Sequence, residues 1–188
     1  KGANSVSGNT VLGESALDAS VSGASNTALG SFCLTELTSG SNNVAVGKDN
    51  SRSLTTGSSN VSVGAFAFDA ATSAENCTAI GKSALTSLTT GSNNTALGKE
   101  ALLSNTTGEQ NTAIGALALD ANTTGSFNTG LGLQALTENT TADSNTALGY
   151  KVLHTNTTGT TNTAAGRNAM LNNTTGSQNV AVGAFALD

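Results

Sequence analysis

Four aspartates, Asp18, Asp69, Asp120 and Asp188, share one phase of a strict repeat, and Glu36 and Glu138 stand one residue further along it in other copies. Glycan cleavage is the chemistry that paired acids suggest, with two carboxyl groups facing each other across a glycosidic bond, roughly 5–10 Å apart. In a stack of repeats the aspartates would lie at least three layers apart, or about 14 Å, too far to share one bond. They read as solubilising surface groups. His154 is the only histidine, and no serine or cysteine nucleophile of repeat-breaking character stands beside it, so a triad has no support. Cys33 and Cys77 cannot complete a four-ligand metal site with one histidine and read as substitutions within the repeat, with little to suggest a disulfide. No catalytic residue, cofactor or metal is expected.

A second chemistry is asparagine-linked glycosylation, whose acceptor is Asn followed by any residue and then Ser or Thr. The pattern occurs at Asn60, Asn76, Asn93, Asn105, Asn122, Asn139, Asn156, Asn172 and Asn173. Five of these, Asn105, Asn122, Asn139, Asn156 and Asn173, hold one repeat position, so glycans there would line one edge of the molecule. The same N-T-T-G run is also good turn chemistry, because Asn tolerates the left-handed region and Thr bonds locally to backbone. The turn reading is preferred.

The elements that position these residues are set by a period of 17. Glycine stands at 13, 30, 47, 64, 81, 98, 115, 132, 149, 166 and 183, with no insertion anywhere. Four residues earlier come Asn9, Asn26, Asn43, Asn60, Cys77, Asn94, Asn111, Asn128, Asn145, Asn162 and Asn179. Counting that asparagine as position 1, the consensus is N-T-A-L-G-x-x-A-L-x-x-x-T-T-G-S-x. Position 9 is Leu except at Ser51, Phe68 and Met170, and position 13 is Thr in nine consecutive copies from Thr38 to Thr174. The glycines at positions 5 and 15 predict two corners per coil.

Between the corners the spacing predicts two short strands, one on N-T-A-L and one on x-x-A-L, the second having a single helical turn as its alternative. In the first, a period of two sends positions 2 and 4 to one face and positions 1 and 3 to the other. A 17-residue unit cannot hide its apolar side alone, so units must stack, each about 4.8 Å above the last. The fold class is therefore all-β: a parallel β-solenoid or β-roll of eleven 17-residue coils spanning 1–188, about 50 Å long. Stacking turns Asn9, Asn26, Asn43, Asn60, Asn94, Asn111, Asn128, Asn145, Asn162 and Asn179 into an amide ladder that Cys77 interrupts. The small residue at position 3, mostly alanine, makes a side that invites close approach by another chain. A parallel homotrimer or similar bundle is expected.

Composition agrees. Charged residues make up 10% and aromatics 3%, there is no proline or tryptophan, and the net charge is -5. A basic footprint for nucleic acid is missing. Lys48, Lys82, Lys99 and Arg167 share position 6 without forming a continuous stripe. No segment is long and apolar enough to insert in a membrane as a helix. The start at Lys1 rather than Met, and the lack of an atypical capping repeat, lead us to expect a section of a longer array.

The runs Gly91 to Leu102 (GSNNTALGKEAL) and Asn105 to Ile114 (NTTGEQNTAI) resemble the repeats of phage and virus tail-fibre shafts. More distantly they are similar to the head repeats of trimeric autotransporter adhesins. The resemblance covers all eleven units and implies a left-handed, trimeric roll on a virion or cell surface. It does not extend to a receptor-binding tip, a self-cleaving chaperone or a membrane anchor.

The expected function is a structural shaft, extracellular or on a virion, acting by self-association as a homotrimer or filament. The alternative is an adhesin-like rod that binds surface glycans through positions 6, 7, 10 and 11, which hold Phe32, Phe66, Tyr150 and Phe185; Phe127 lies at position 17. Ice binding by the threonine columns, or a glycan-cleaving tailspike, ranks third. Adjacent threonines near a corner point their hydroxyls apart, unlike a T-x-T face.

Overall fold

The computed structural model describes residues 8–188. Their regular elements are eleven three-residue strands, β1 (Thr10–Leu12), β2 (Thr27–Leu29), β3 (Val44–Val46), β4 (Val61–Val63), β5 (Thr78–Ile80), β6 (Thr95–Leu97), β7 (Thr112–Ile114), β8 (Thr129–Leu131), β9 (Thr146–Leu148), β10 (Thr163–Ala165) and β11 (Val180–Val182). They form one parallel sheet in chain order. Each strand pairs one full repeat away, from Thr10 with Thr27 to Thr163 with Val180. Every coil is thus its own crossover connection, and the solenoid predicted from the period is the fold.

The second predicted strand does not form. Positions 6–11 wind through turns in which positions 7 and 9 take the left-handed region, as at Phe32 (φ 56°) and Leu34 (φ 51°). This backbone costs a residue with a Cβ roughly 1–2 kcal/mol. Bonds between coils offset it: Leu85 donates its N–H to the carbonyl of Ala101 one coil on (3.0 Å), and Glu100 donates to Lys82 one coil back (3.0 Å). Full burial of the position 9 side chain adds about 1.5–3 kcal/mol.

The strand faces are reversed relative to the expectation that the alanine side meets a partner. Position 3 points inward, with Ala45, Ala79, Ala96, Ala113 and Ala147 fully buried. Position 4 points outward, and Leu29, Leu97, Leu131 and Leu148 are each 40–46% exposed. The cause is the thinness of the coil. A Cβ added at Gly130, which replaces alanine at position 3, would lie 3.5 Å from Cγ and Cδ1 of Leu119 at position 9. The strand and the leucine wall therefore stand one small side chain apart. The position 9 side chain fills the space behind the strand, and the strand wall opposite it must be small.

The corner at position 5 requires glycine for two reasons. Gly98 has φ 145°, and a Cβ there would overlap the carbonyl oxygen of Gly115 in the next coil. Successive corners thus pack backbone on backbone along one edge of the rod.

Candidate functional site

The interior carries two polar columns. At position 1 each amide closes its own coil: Asn26 Nδ2 donates to the Gly40 carbonyl (3.0 Å) and Asn145 Nδ2 to Gly159 (2.8 Å). Its oxygen then accepts the backbone N–H of the next asparagine, as from Asn43 to Asn26 (3.0 Å) and from Asn128 to Asn111 (2.9 Å). Direct amide-to-amide bonds join Asn26, Asn43 and Asn60, and again Asn162 and Asn179. Buried amides are tolerated here because donor and acceptor are both used. Cys77 accommodates part of the pattern: its N–H still reaches Asn60 Oδ1 (2.9 Å) and its thiol points to the Gly91 carbonyl (3.6 Å). A thiol has no carbonyl oxygen to offer Asn94.

Position 12 is the second column, and its nature changes along the rod. Leu37, Leu54, Ala71 and Leu88 fill it in the earlier coils, and Asn105, Asn122, Asn139, Asn156 and Asn173 in the later ones. The first four of these asparagines are fully buried. They form a continuous amide ladder, Asn122 to Asn105 at 3.2 Å, Asn139 to Asn122 at 3.1 Å, Asn156 to Asn139 at 3.0 Å and Asn173 to Asn156 at 2.8 Å. Each donor also reaches the carbonyl at position 15, as Asn139 does to Ala142 (3.0 Å).

The picture of glycans lining one edge through the N-T-T column is thereby corrected. These side chains point into the core, and their Nδ2 atoms are already bonded twice from Asn122 onward. The turn chemistry preferred from sequence is present as well, because Gly108 donates its N–H to Asn105 Oδ1 (3.0 Å). Of the remaining acceptor patterns, Asn60 is buried in the first ladder, whereas Asn76, Asn93 and Asn172 are exposed. The ladder at position 12 was missed from sequence, although asparagine replacing leucine in phase is the signal that marks an interior amide.

In coils 3 and 4 the core holds a local polar cluster. Asn50, Ser51 and Ser62 replace the usual Ala, Leu and Ala and are buried. Ser51 and Ser62 share a hydroxyl bond of 2.7 Å, both meet Asn50 Oδ1, and Asn50 Nδ2 donates to the Gly64 carbonyl (2.7 Å). Phe68 fills position 9 in the next coil, so a large side chain stands over a small one.

Three surfaces remain. The strand face presents Thr or Val at position 2 and an aliphatic residue at position 4 in nearly every coil, with no charge at positions 17, 2 or 4. The position 13 threonines spend their hydroxyls along the stack, as Thr106 does on the Thr123 carbonyl (3.0 Å). The third surface, on coils 2–4, is rich in charge and rings. Arg52 lies 5.7 Å from the Phe32 ring centre and Lys48 5.9 Å from that of Phe66, with Asp49 between the two cations at 3.9 and 3.5 Å.

The titratable groups follow from burial. Burial pushes the thiols of Cys33 up to about 12 and of Cys77 up to about 11, and both are free. Burial also holds the Asp69 and Asp120 carboxyls above the usual range, with Asp49 adding to the shift of Asp69 and Arg52 opposing it. One carboxylate oxygen of each lacks a partner. His154 is lowered by burial, against the pull of Glu138. Among the described residues, no group of three His, Cys, Asp or Glu could hold a metal, and no helix is long and apolar enough to cross a membrane.

Comparison with protein-family models, curated proteins and solved structures finds no match for this chain.

Proposed function

We propose that the chain is a shaft segment of an extracellular or virion-surface fibre, a stiff rod without catalytic work that spaces a tip from its base or builds a filament. It acts as parallel copies of itself, three being the arrangement expected. The observation that carries this reading is the uncharged strand face, on which an aliphatic column at position 4 runs beside Thr or Val at position 2. With three residues across and eleven coils along, it measures about 10 by 50 Å, or ~1,000 Å² when counted on both partners. A face without charge, with aliphatic side chains exposed at intervals along its length, is suited to covering by a partner. Its chemistry recurs once per coil, and a second copy of the chain has the same axial period and can match it at every layer.

Light scattering on the purified chain tests this. The expected result is a trimer, converted to monomer by Leu97→Asp with Leu131→Asp at unchanged circular dichroism, because both side chains stand in solvent in the single chain. A wild-type chain that stays monomeric at micromolar concentration refutes the proposal.

A second reading, glycan binding along the side, is favoured by the coil 2–4 surface. Phe32 and Phe66 hold left-handed backbone (φ 56° and 59°) at a position where other coils place Ser, Gln or Lys. The fold does not require a ring there. Loss of glycan-panel binding on Phe66→Ser would favour this reading, and no binding by the wild type would exclude it.

A further inference from the structure

The position 12 ladder bears on where the chain can be made. Asn105, Asn122, Asn139 and Asn156 are each the first residue of an N-T-T acceptor pattern and each fully buried. Asparagine-linked glycosylation attaches a bulky, strongly hydrated sugar to Nδ2. In this fold Nδ2 of Asn139 is the atom that bonds Asn122 Oδ1 and the Ala142 carbonyl, at a buried position that holds nothing larger than leucine in any coil. A sugar on that atom cannot be taken into the core, and the coil cannot close with the asparagine turned outward without breaking two ladder bonds, the one to Asn122 Oδ1 and the one from Asn156. Asn60, in the first ladder, has the same conflict through its bonds to Asn43 Oδ1 and the Ala74 carbonyl. The acceptor reaction runs on extended chain, before these atoms are hidden.

We infer that asparagine-linked glycosylation and folding are mutually exclusive at this column, so the chain completes its fold in a compartment where no oligosaccharyltransferase acts. The folded rod has three places for such a sugar, Asn76, Asn93 and Asn172, all on the surface. An external location is then reached by a rod that has already folded, or from a cell without this modification. The inference stands apart from the shaft reading, since it concerns the interior of a single chain and not what the rod does.

The pattern can be removed without touching the ladder, because its third residue is an exposed threonine in each coil: Thr107, Thr124, Thr141, Thr158 and Thr175. The test directs the 188-residue chain into a eukaryotic secretory pathway. Alongside it goes a variant with those five threonines changed to alanine and Ser62→Ala, the residue most coils carry at position 3. Wild type is expected to be glycosylated on the column and lost as protease-resistant secreted rod, and the variant to be secreted resistant. Secretion of both in equal yield as resistant rods overturns the inference.

A second measurement is independent of secretion. Wild-type rod made in bacterial cytoplasm is offered, folded or urea-unfolded, to an oligosaccharyltransferase with a lipid-linked oligosaccharide. Mass spectrometry should find sugar only on Asn76, Asn93 or Asn172 of the folded rod. Unfolded chain should take it on Asn105 to Asn156 and then fail to regain protease resistance. Resistant rods carrying sugar on those four asparagines would overturn the inference directly.

Discussion

Position 12 offers a transplant that nature has already made, because leucine fills it in coils 2, 3 and 5 and asparagine from coil 6 onward. Asn105→Leu moves the boundary by one coil and breaks two bonds, the rung from Asn122 and the one that the buried Gly108 N–H donates to Asn105 Oδ1. Asn139→Leu, in the middle of the ladder, breaks two, its own bond to Asn122 and the bond it receives from Asn156. Each broken rung leaves a buried amide short of a partner at about 1–3 kcal/mol. Burying the leucine returns about 1.5–3 kcal/mol in either place. The position 15 carbonyls are not orphaned, since Asn94 still reaches Gly108 (2.8 Å) and Asn128 still reaches Ala142 (2.8 Å).

Each variant thus sets two lost hydrogen bonds against one buried leucine. Both should therefore be less stable than the wild type by roughly 1–3 kcal/mol, since two lost bonds outweigh one buried leucine. Guanidinium unfolding followed by far-ultraviolet circular dichroism reads the difference as a shift in midpoint at constant slope. If Asn139→Leu proves as stable as the wild type or more so, the ladder contributes nothing beyond filling space, and this account of the interior fails.

Gly98→Ala, at a corner with positive φ where a Cβ meets the next backbone, should cost more than about 2 kcal/mol, whereas Gly125→Ala should cost less, because its Cβ also meets the Ala142 carbonyl but its φ is ordinary and Ala74 and Ala142 already stand at its position; thermal melts of both decide this. Ser51→Leu puts a large side chain beneath Phe68 and should destabilise by roughly 1–3 kcal/mol, with partial rescue by Phe68→Leu in a double-mutant cycle. Cys33 and Cys77 should resist a thiol reagent at pH 8 in the folded rod and react on unfolding, since burial holds both thiols at about 11 or above. The folded Asp120 carboxyl sits above its unfolded value of 3.8, so the native state binds the extra proton between the two values. Stability contributed by this group falls as pH rises through that window, and Asp120→Asn should raise the melting temperature at neutral pH and flatten its acid dependence.

The period of 17 made the pitch, the register and the number of coils legible, because an uninterrupted repeat admits one stacking. Inside and outside were not legible by the same route. Leu97 and Ala96 alternate on a strand, and alternation states that they face opposite ways without stating which is buried. Aliphatic residues at a surface are common in any fold, and here Leu102, from the turn across the coil, claims the one large space in its layer. Nor was the second segment readable as turns, because nothing in the types of Phe32 or Leu34 announces left-handed backbone; neighbouring coils impose it through their hydrogen bonds. Asn105 was legible as a turn residue and as an acceptor pattern. Its place in a ladder follows only once position 12 is known to face the core.

The contact of bare backbone at the position 5 corners gives the molecule a scale. With no side chain between Gly98 and the glycine above it, the separation of successive coils along that edge is fixed by atoms that every coil possesses and no substitution supplies. Length is then a digital quantity. Gain or loss of whole coils would change the reach of the rod in equal steps and leave its cross-section as before, whereas an insertion of any other size would set a Cβ, an aliphatic side chain or an amide against the wrong neighbour in every layer that follows. An organism that needed a longer or shorter rod could obtain it by recombination between copies, with no new packing problem to solve.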